Sequence, residues 1–324
     1  MKTKLIKLIK QPLIYGSTIV VVGNLAANFF NFLYSVFLTR NLSNADNGVI
    51  ASIVSVMSFP ALISAAIIPL VIQFAGNYFA QGKLDMARGF YYQIMKYFFI
   101  IGICLFVGFI LLIPYISTFL HIDNIGLLVL TSFIIFLGII SVINIAFIQA
   151  KLAFGSQVMI SMVGAVAKLG IGVSAVILGF GVNGAVGALF LAALLAYIAS
   201  FIPLKFVFAK KIHVPKVDAK ELLLYGIPST LTLIGLTLFI SVDILLVKHF
   251  FDPTNAGIYA GIALIGKVIF YVSSPIGYVM FPIIVQKHSK RENFSNTFIA
   301  SLLLVLTPSV ILTILYFVFP DPII

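Results

Sequence analysis

Apolar runs of about 20 residues recur along the whole chain, each long enough to cross a hydrocarbon core of roughly 30 Å as a helix rising about 1.5 Å per residue. No water is available inside a bilayer to satisfy peptide groups, so a chain patterned this way must fold as helices that pair their own backbone. Nine runs are read, at 13–38, 49–78, 91–113, 125–150, 158–180, 184–208, 222–250, 258–285 and 294–319. The expected fold class is therefore all-α, a polytopic membrane protein. Lys2, Lys4, Lys7 and Lys10 precede the first run as in a signal peptide, but that run continues to residue 38, past the roughly 7 to 15 apolar residues of a signal core.

Composition agrees: 62% of residues are hydrophobic and 9% charged, where a soluble domain has roughly 45 to 50% apolar residues. A net charge of +11 suggests nucleic acid until the basic residues are placed. On one side of the spans fall the N-terminus, Lys83, Arg88, Lys151, Lys205, Lys210, Lys211, Lys216, Lys220, Lys287, Lys290 and Arg291; the other side has Arg40 and Lys248. This asymmetry sets topology and meets anionic lipid headgroups, which makes membrane lipids the expected partners and argues against nucleic acid. It places the N-terminus in the cytoplasm, with Tyr91, Tyr92 and Tyr316 as anchors near span ends. Cys104 is the single cysteine and falls inside a span. His121, His213, His249 and His288 have no spacing that assembles a metal site or a catalytic pair, so neither metal nor cofactor is expected.

The basic stretch 205–221 divides two similar halves. Tyr15-Gly16 answers Tyr225-Gly226, the segment 42–48 ending in Gly48 answers 251–257 ending in Gly257, and Pro69 to Gln73 answers Pro282 to Gln286. Both halves begin on the cytoplasmic side, so the repeat is parallel, about an axis along the membrane normal. The reading is an N-terminal lobe of six spans at 1–208, a cytoplasmic basic hinge at 209–221, and a C-terminal lobe of three spans at 222–324. Pro320 and Pro322 follow the ninth span where Pro114 is expected to close the third, so the second lobe reads as cut short.

Two lobes about a basic hinge, short outer loops ending in glycine, Asp243-Ile244-Leu245-Leu246 in the seventh span and Phe281-Pro282 in the eighth resemble the polysaccharide-biosynthesis branch of the multidrug/oligosaccharidyl-lipid/polysaccharide (MOP) flippase superfamily. An aromatic residue often precedes the first outer-loop glycine in that group; this chain has Asn47. The resemblance implies a transporter, not an enzyme, in the cytoplasmic membrane. Its substrate would be a polyprenyl-pyrophosphate-linked oligosaccharide of the O-antigen, capsule or exopolysaccharide type, moved from inner to outer leaflet by alternating access, with polysaccharide assembly proteins as possible partners.

Against that expectation, Lys168 lies about ten residues into its span, near the midplane. Ser161, Ala165, Lys168, Gly172, Ala175 and Gly179 step by four and three, so the lysine stands on a face of small residues that packs against a neighbour or lines a cavity. It is either a cation for the pyrophosphate or a lysine held by carbonyls or snorkelling. Lys267 sits at matching depth in the second half and shares a face with Tyr271, Ser274 and Tyr278; the alternatives are a phosphate-and-sugar site or an interhelical packing face. Pro60 and Pro69 in the second span, and Pro275 and Pro282 in the eighth, are expected to kink their helices. Asn24, Asn28, Asn31 and Ser35 form a polar stripe on the first span, for sugar recognition or interhelical hydrogen bonds. Asp243 is a candidate for ion coupling, with structural pairing the preferred reading; Lys96 is expected to snorkel. Two rivals remain. A drug or metabolite exporter of the same superfamily would favour acidic and aromatic cavity residues, and a membrane-bound oligosaccharide polymerase or ligase would need a sizeable outer loop with polar catalytic residues.

Overall fold

The computed structural model describes residues 12–57, 59–120, 122–209 and 253–318 with isolated positions between 224 and 236, leaving aside the side chains at 12–15, 44–45, 55, 59–66, 253–265, 267–268 and 271–272. The elements are α1 (Pro12–Asn41), α2 (Asn44–Met57), α3 (Phe59–Ala80), α4 (Leu84–Leu120), α5 (Ile125–Ala150), α6 (Phe154–Ile177), α7 (Gly181–Ser200), a 3-10 turn (Lys205–Phe208), α8 (Pro253–Ser289) and α9 (Ser295–Val318). Among the described residues there are no strands, and six helices are long and apolar enough to cross a membrane. The chain is a multi-pass membrane protein. Most of the seventh run, and the hinge beyond Ala209, lie outside the described residues.

Local chemistry moves several boundaries. The segment expected as an outer loop at 42–48 is mostly helix: Ser43 Oγ accepts the Asp46 N–H at 3.1 Å and donates to its carboxylate at 2.7 Å, a side-chain cap that starts α2 at once. Helix α8 likewise starts at Pro253, inside the second expected loop, because proline at the first helical position gives up an N–H that has no partner there anyway. The run read as one span at 49–78 holds the described helices α2 and α3, with residue 58 between them outside the described residues. Pro114 does not close the third span, since α4 runs through it to Leu120; Pro69, Pro275, Pro282 and Pro308 also lie inside helices. Each proline removes one hydrogen bond from a ladder whose other members remain, and in α4 Thr118 Oγ1 donates to the Pro114 carbonyl at 2.9 Å.

Helix α5 is the centre of the first lobe, packed against α3, α4, α6 and α7. Ile139, Ile143 and Phe147 are buried on it, as are Thr131, Ser132 and Asn144. The outer surfaces reverse the soluble pattern. Leu105, Leu111 and Phe119 on α4 and Leu303, Ile311 and Phe317 on α9 are exposed, as lipid-facing positions should be. Polar groups pair inside: the Tyr91 hydroxyl donates to Asn144 Oδ1 at 2.7 Å, and Asn144 Nδ2 donates to Ser200 Oγ at 2.6 Å, joining α4, α5 and α7. Between α6 and α7 the chain reverses through Gly179, whose φ of +90° suits a residue without Cβ. The Phe180 N–H returns to the Ala175 carbonyl and the Gly179 N–H to Val176, closing α6.

The start of the connector is strapped to the first lobe. Arg88 is buried, pairs with Asp85 at 3.1 Å and donates through Nε to the Phe206 carbonyl at 2.6 Å. The Tyr92 hydroxyl donates to the Val207 carbonyl and Lys151 Nζ to the Pro203 carbonyl.

Candidate functional site

Helix α1 lies along α6, and α6 along α7. This places Tyr34 beside Lys168. The phenol ring lies beneath the ammonium, with Nζ 5.1 Å from the ring centroid, near enough for a cation–π contact. The ring is fixed from two directions. Its hydroxyl donates to the Ala185 carbonyl on α7 at 2.9 Å, and its edge covers Gly172, where a Cβ would stand 2.4 Å from Cε2. Only glycine leaves space for the ring there. Ala165 and Gly172 are buried and Lys168 is half-buried, so the small-residue face of α6 forms a wall in which the lysine is the one long side chain.

Lys168 stands about 21 Å along α6 at 1.5 Å per residue. No carboxylate among the described residues lies within ion-pair distance of it; the one ion pair among them is Arg88 with Asp85. A cation with no carboxylate beside it among the described residues, held over an aromatic face away from the ends of its helix, is available to an anion that reaches it.

Asn31 is half-buried, one turn before Tyr34 on α1, and Asn24 and Asn28 are exposed. Val20, Gly23, Ala27, Tyr34 and Leu38 form the buried face of α1, while Val22, Leu25, Phe29 and Phe32 are exposed. Helical spacing sets the asparagines along the edge of the buried face, between it and the apolar one. Among the described residues the side chains of Asn24 and Asn28 make no interhelical hydrogen bond. Lys267 and Tyr271 lie on α8, with side chains outside the described set, and Asp243 lies outside the described residues altogether. Tyr278 is placed elsewhere: its hydroxyl receives Nε2 of both Gln149 and Gln157, at a seam between α8 and the first lobe. No group of three or more histidine, cysteine or acidic residues fit for a metal is found among the described residues.

Sequence reading did not find Tyr34, Gln149 or Gln157. A tyrosine in the last third of an apolar span has no visible partner until α1 is set against α6, and glutamines at span ends look like ordinary interfacial residues.

The arrangement is a bundle of membrane-length helices, and the comparisons agree on the fold. Over 96% of its length the chain is similar to a MOP superfamily transporter from Pyrococcus furiosus (TM-score 0.71, 11% identity, 72% of that chain covered). It is also similar to a Vibrio cholerae MATE transporter variant (TM-score 0.72, 13% identity, covering 96% of this chain and 74% of that one). A third likeness is to an outward-facing multidrug resistance MATE family transporter of the MOP superfamily (TM-score 0.69, 11% identity, 96% and 72% covered). At such identities the likeness concerns fold. No curated protein matches the sequence. The profile of a family described as polysaccharide biosynthesis protein matches residues 37–324, and the chain belongs to that family.

Proposed function

We propose that the chain is a flippase for a polyprenyl-pyrophosphate-linked oligosaccharide, carrying it from the inner to the outer leaflet of the cytoplasmic membrane. The lobes at 1–208 and 222–324 alternate access about the basic hinge at 209–221. The observation that carries the reading is Lys168, a cation inside the helical bundle, held over Tyr34 and free of carboxylates among the described residues. A lipid pyrophosphate has the complementary charge. Membership in a polysaccharide biosynthesis family on a transporter fold supports the same substrate class. Lys267 and Tyr271 would serve from the second lobe, Asn24, Asn28 and Asn31 would offer amides to sugar hydroxyls, and Tyr278 would close the same face of α8 toward the basic end. Asp243 remains the candidate for ion coupling.

The test measures outward appearance of lipid-linked oligosaccharide in cells lacking their own flippase, comparing the parent with Lys168→Gln, Lys267→Gln and the double variant at matched membrane abundance. Glutamine keeps hydrogen bonding and removes charge. Flipping should fall in each single variant and further in the double; normal flipping by the double variant would refute a cationic site.

A further inference from the structure

The described side chains of α8 from residue 273 on meet α1, α3, α5 and α6 near the end of the bundle that carries Lys83, Lys151 and Lys290. Gln149, at the end of α5, and Gln157, in the first turn of α6, both donate to the Tyr278 hydroxyl. Gln286 Nε2 donates to the Ala150 carbonyl at 2.6 Å, and Ser289 Oγ donates to Asn77 Oδ1 at the end of α3. Two glycines let the backbones close. A Cβ on Gly16 or on Gly76 would stand 2.9 Å from Val279 or Val285, respectively. Val20, Phe154, Val279 and Ile283 fill the space between as one apolar cluster.

The chemistry of the seam is neutral throughout. Carboxamides, a phenol and a hydroxyl meet with no ion pair among the described residues, so parting the helices separates no charges in a medium of low dielectric, which is the costly step for a buried ion pair. Gln149 Oε1 and Gln157 Oε1 are buried and have no protein partner among the described residues. Such groups make closure less favourable, because hydration on opening would satisfy them. A seam of this kind holds and releases readily.

We propose that Tyr278, clasped by Gln149 and Gln157, is the latch of a closed gate at the basic end of the bundle, and that its release opens the path from that side toward Lys168. This rests on the transporter reading and names the residues that regulate access to its site. By the lysine asymmetry this end is the cytoplasmic one.

The test uses the full chain in membranes, with Cys104→Ser and a protease site inserted in the hinge at 209–221. Asn77→Cys and Ser289→Cys are combined and oxidised. The cleaved fragments should stay joined without reductant and separate with it. Adding Tyr278→Phe keeps the ring and removes the hydroxyl, and should slow crosslinking about fivefold for each hydrogen bond lost. In a second readout, maleimide labelling of Ser17→Cys from the basic side should rise by a similar factor. If Tyr278→Phe fails to accumulate, Gln157→Leu takes its place. Absence of crosslinking, or crosslinking and labelling both indifferent to loss of the latch, would overturn the proposal. Neither readout involves substrate, so the latch is tested apart from the flippase reading, which depends on the oligosaccharide assay.

Discussion

Tyr34 offers the sharpest separation between a structural and a functional role, because its hydroxyl and its ring do different things. Tyr34→Phe removes the hydrogen bond to Ala185 and leaves the ring under Lys168. Ala185 lies inside a helix and its carbonyl also accepts from its own ladder, so the loss should be small, about 0.6 kcal/mol, as for an average interhelical hydrogen bond in a membrane protein. Tyr34→Leu removes the ring as well. Tyr34 is 4% exposed and covers Gly172, so the smaller side chain leaves a void, and stability should fall by about 2 kcal/mol. The cation–π contact, worth roughly 0.5 to 2 kcal/mol, is lost too, and with it the fixed position of the ammonium. Affinity for a polyprenyl pyrophosphate should then drop about three- to tenfold in the leucine variant and stay near the parent's in the phenylalanine variant. Purified protein in detergent would be titrated with farnesyl pyrophosphate by calorimetry, with unfolding in denaturant measured separately. Equal affinities for the two variants, while Lys168→Gln binds weakly, would refute the ring as the platform for the lysine.

Lys168→Arg should retain part of the flipping that Lys168→Gln loses, since hydrogen bonds to charged groups contribute roughly 1.5 to 3 kcal/mol and arginine keeps the charge; the cellular oligosaccharide assay reads both. Asn144→Leu strands the Tyr91 hydroxyl in the protein core and takes from Ser200 Oγ its accepted bond, leaving the one it donates to the Tyr197 carbonyl, and should destabilise by about 1 to 3 kcal/mol in detergent unfolding; a variant as stable as the parent counts against the network. Gly172→Val places carbon within the Tyr34 ring contact, and should cost about 1 to 3 kcal/mol through overpacking and lower pyrophosphate affinity together. For topology, Leu42→Cys should react with an impermeant maleimide from outside intact cells and Lys216→Cys should not; outside labelling at 216 would reverse the orientation.

Hydropathy and the position of lysines are properties of the chain taken one residue at a time, and they sufficed for an all-α, multi-pass membrane fold. The bilayer imposes span length directly, so runs such as 125–150 coincide with the observed α5. Boundaries were less legible where a local bond outweighs hydropathy, as at Ser43 with Asp46, or where a helix tolerates proline, as at Pro114. The position of Lys168 along its helix and its small-residue face were also readable, because both follow from helical spacing on one element. What holds that lysine was not. Tyr34 and Ala185 are 151 residues apart, and nothing in either stretch names the other. Their meeting is decided when α1, α6 and α7 pack, since helices in lipid choose partners by shape and by buried polar pairs, not by apolarity that all their faces share. The same holds at the seam: Tyr278 read as one more aromatic on a stripe, and only the approach of α8 to the ends of α5 and α6 set it between two glutamines.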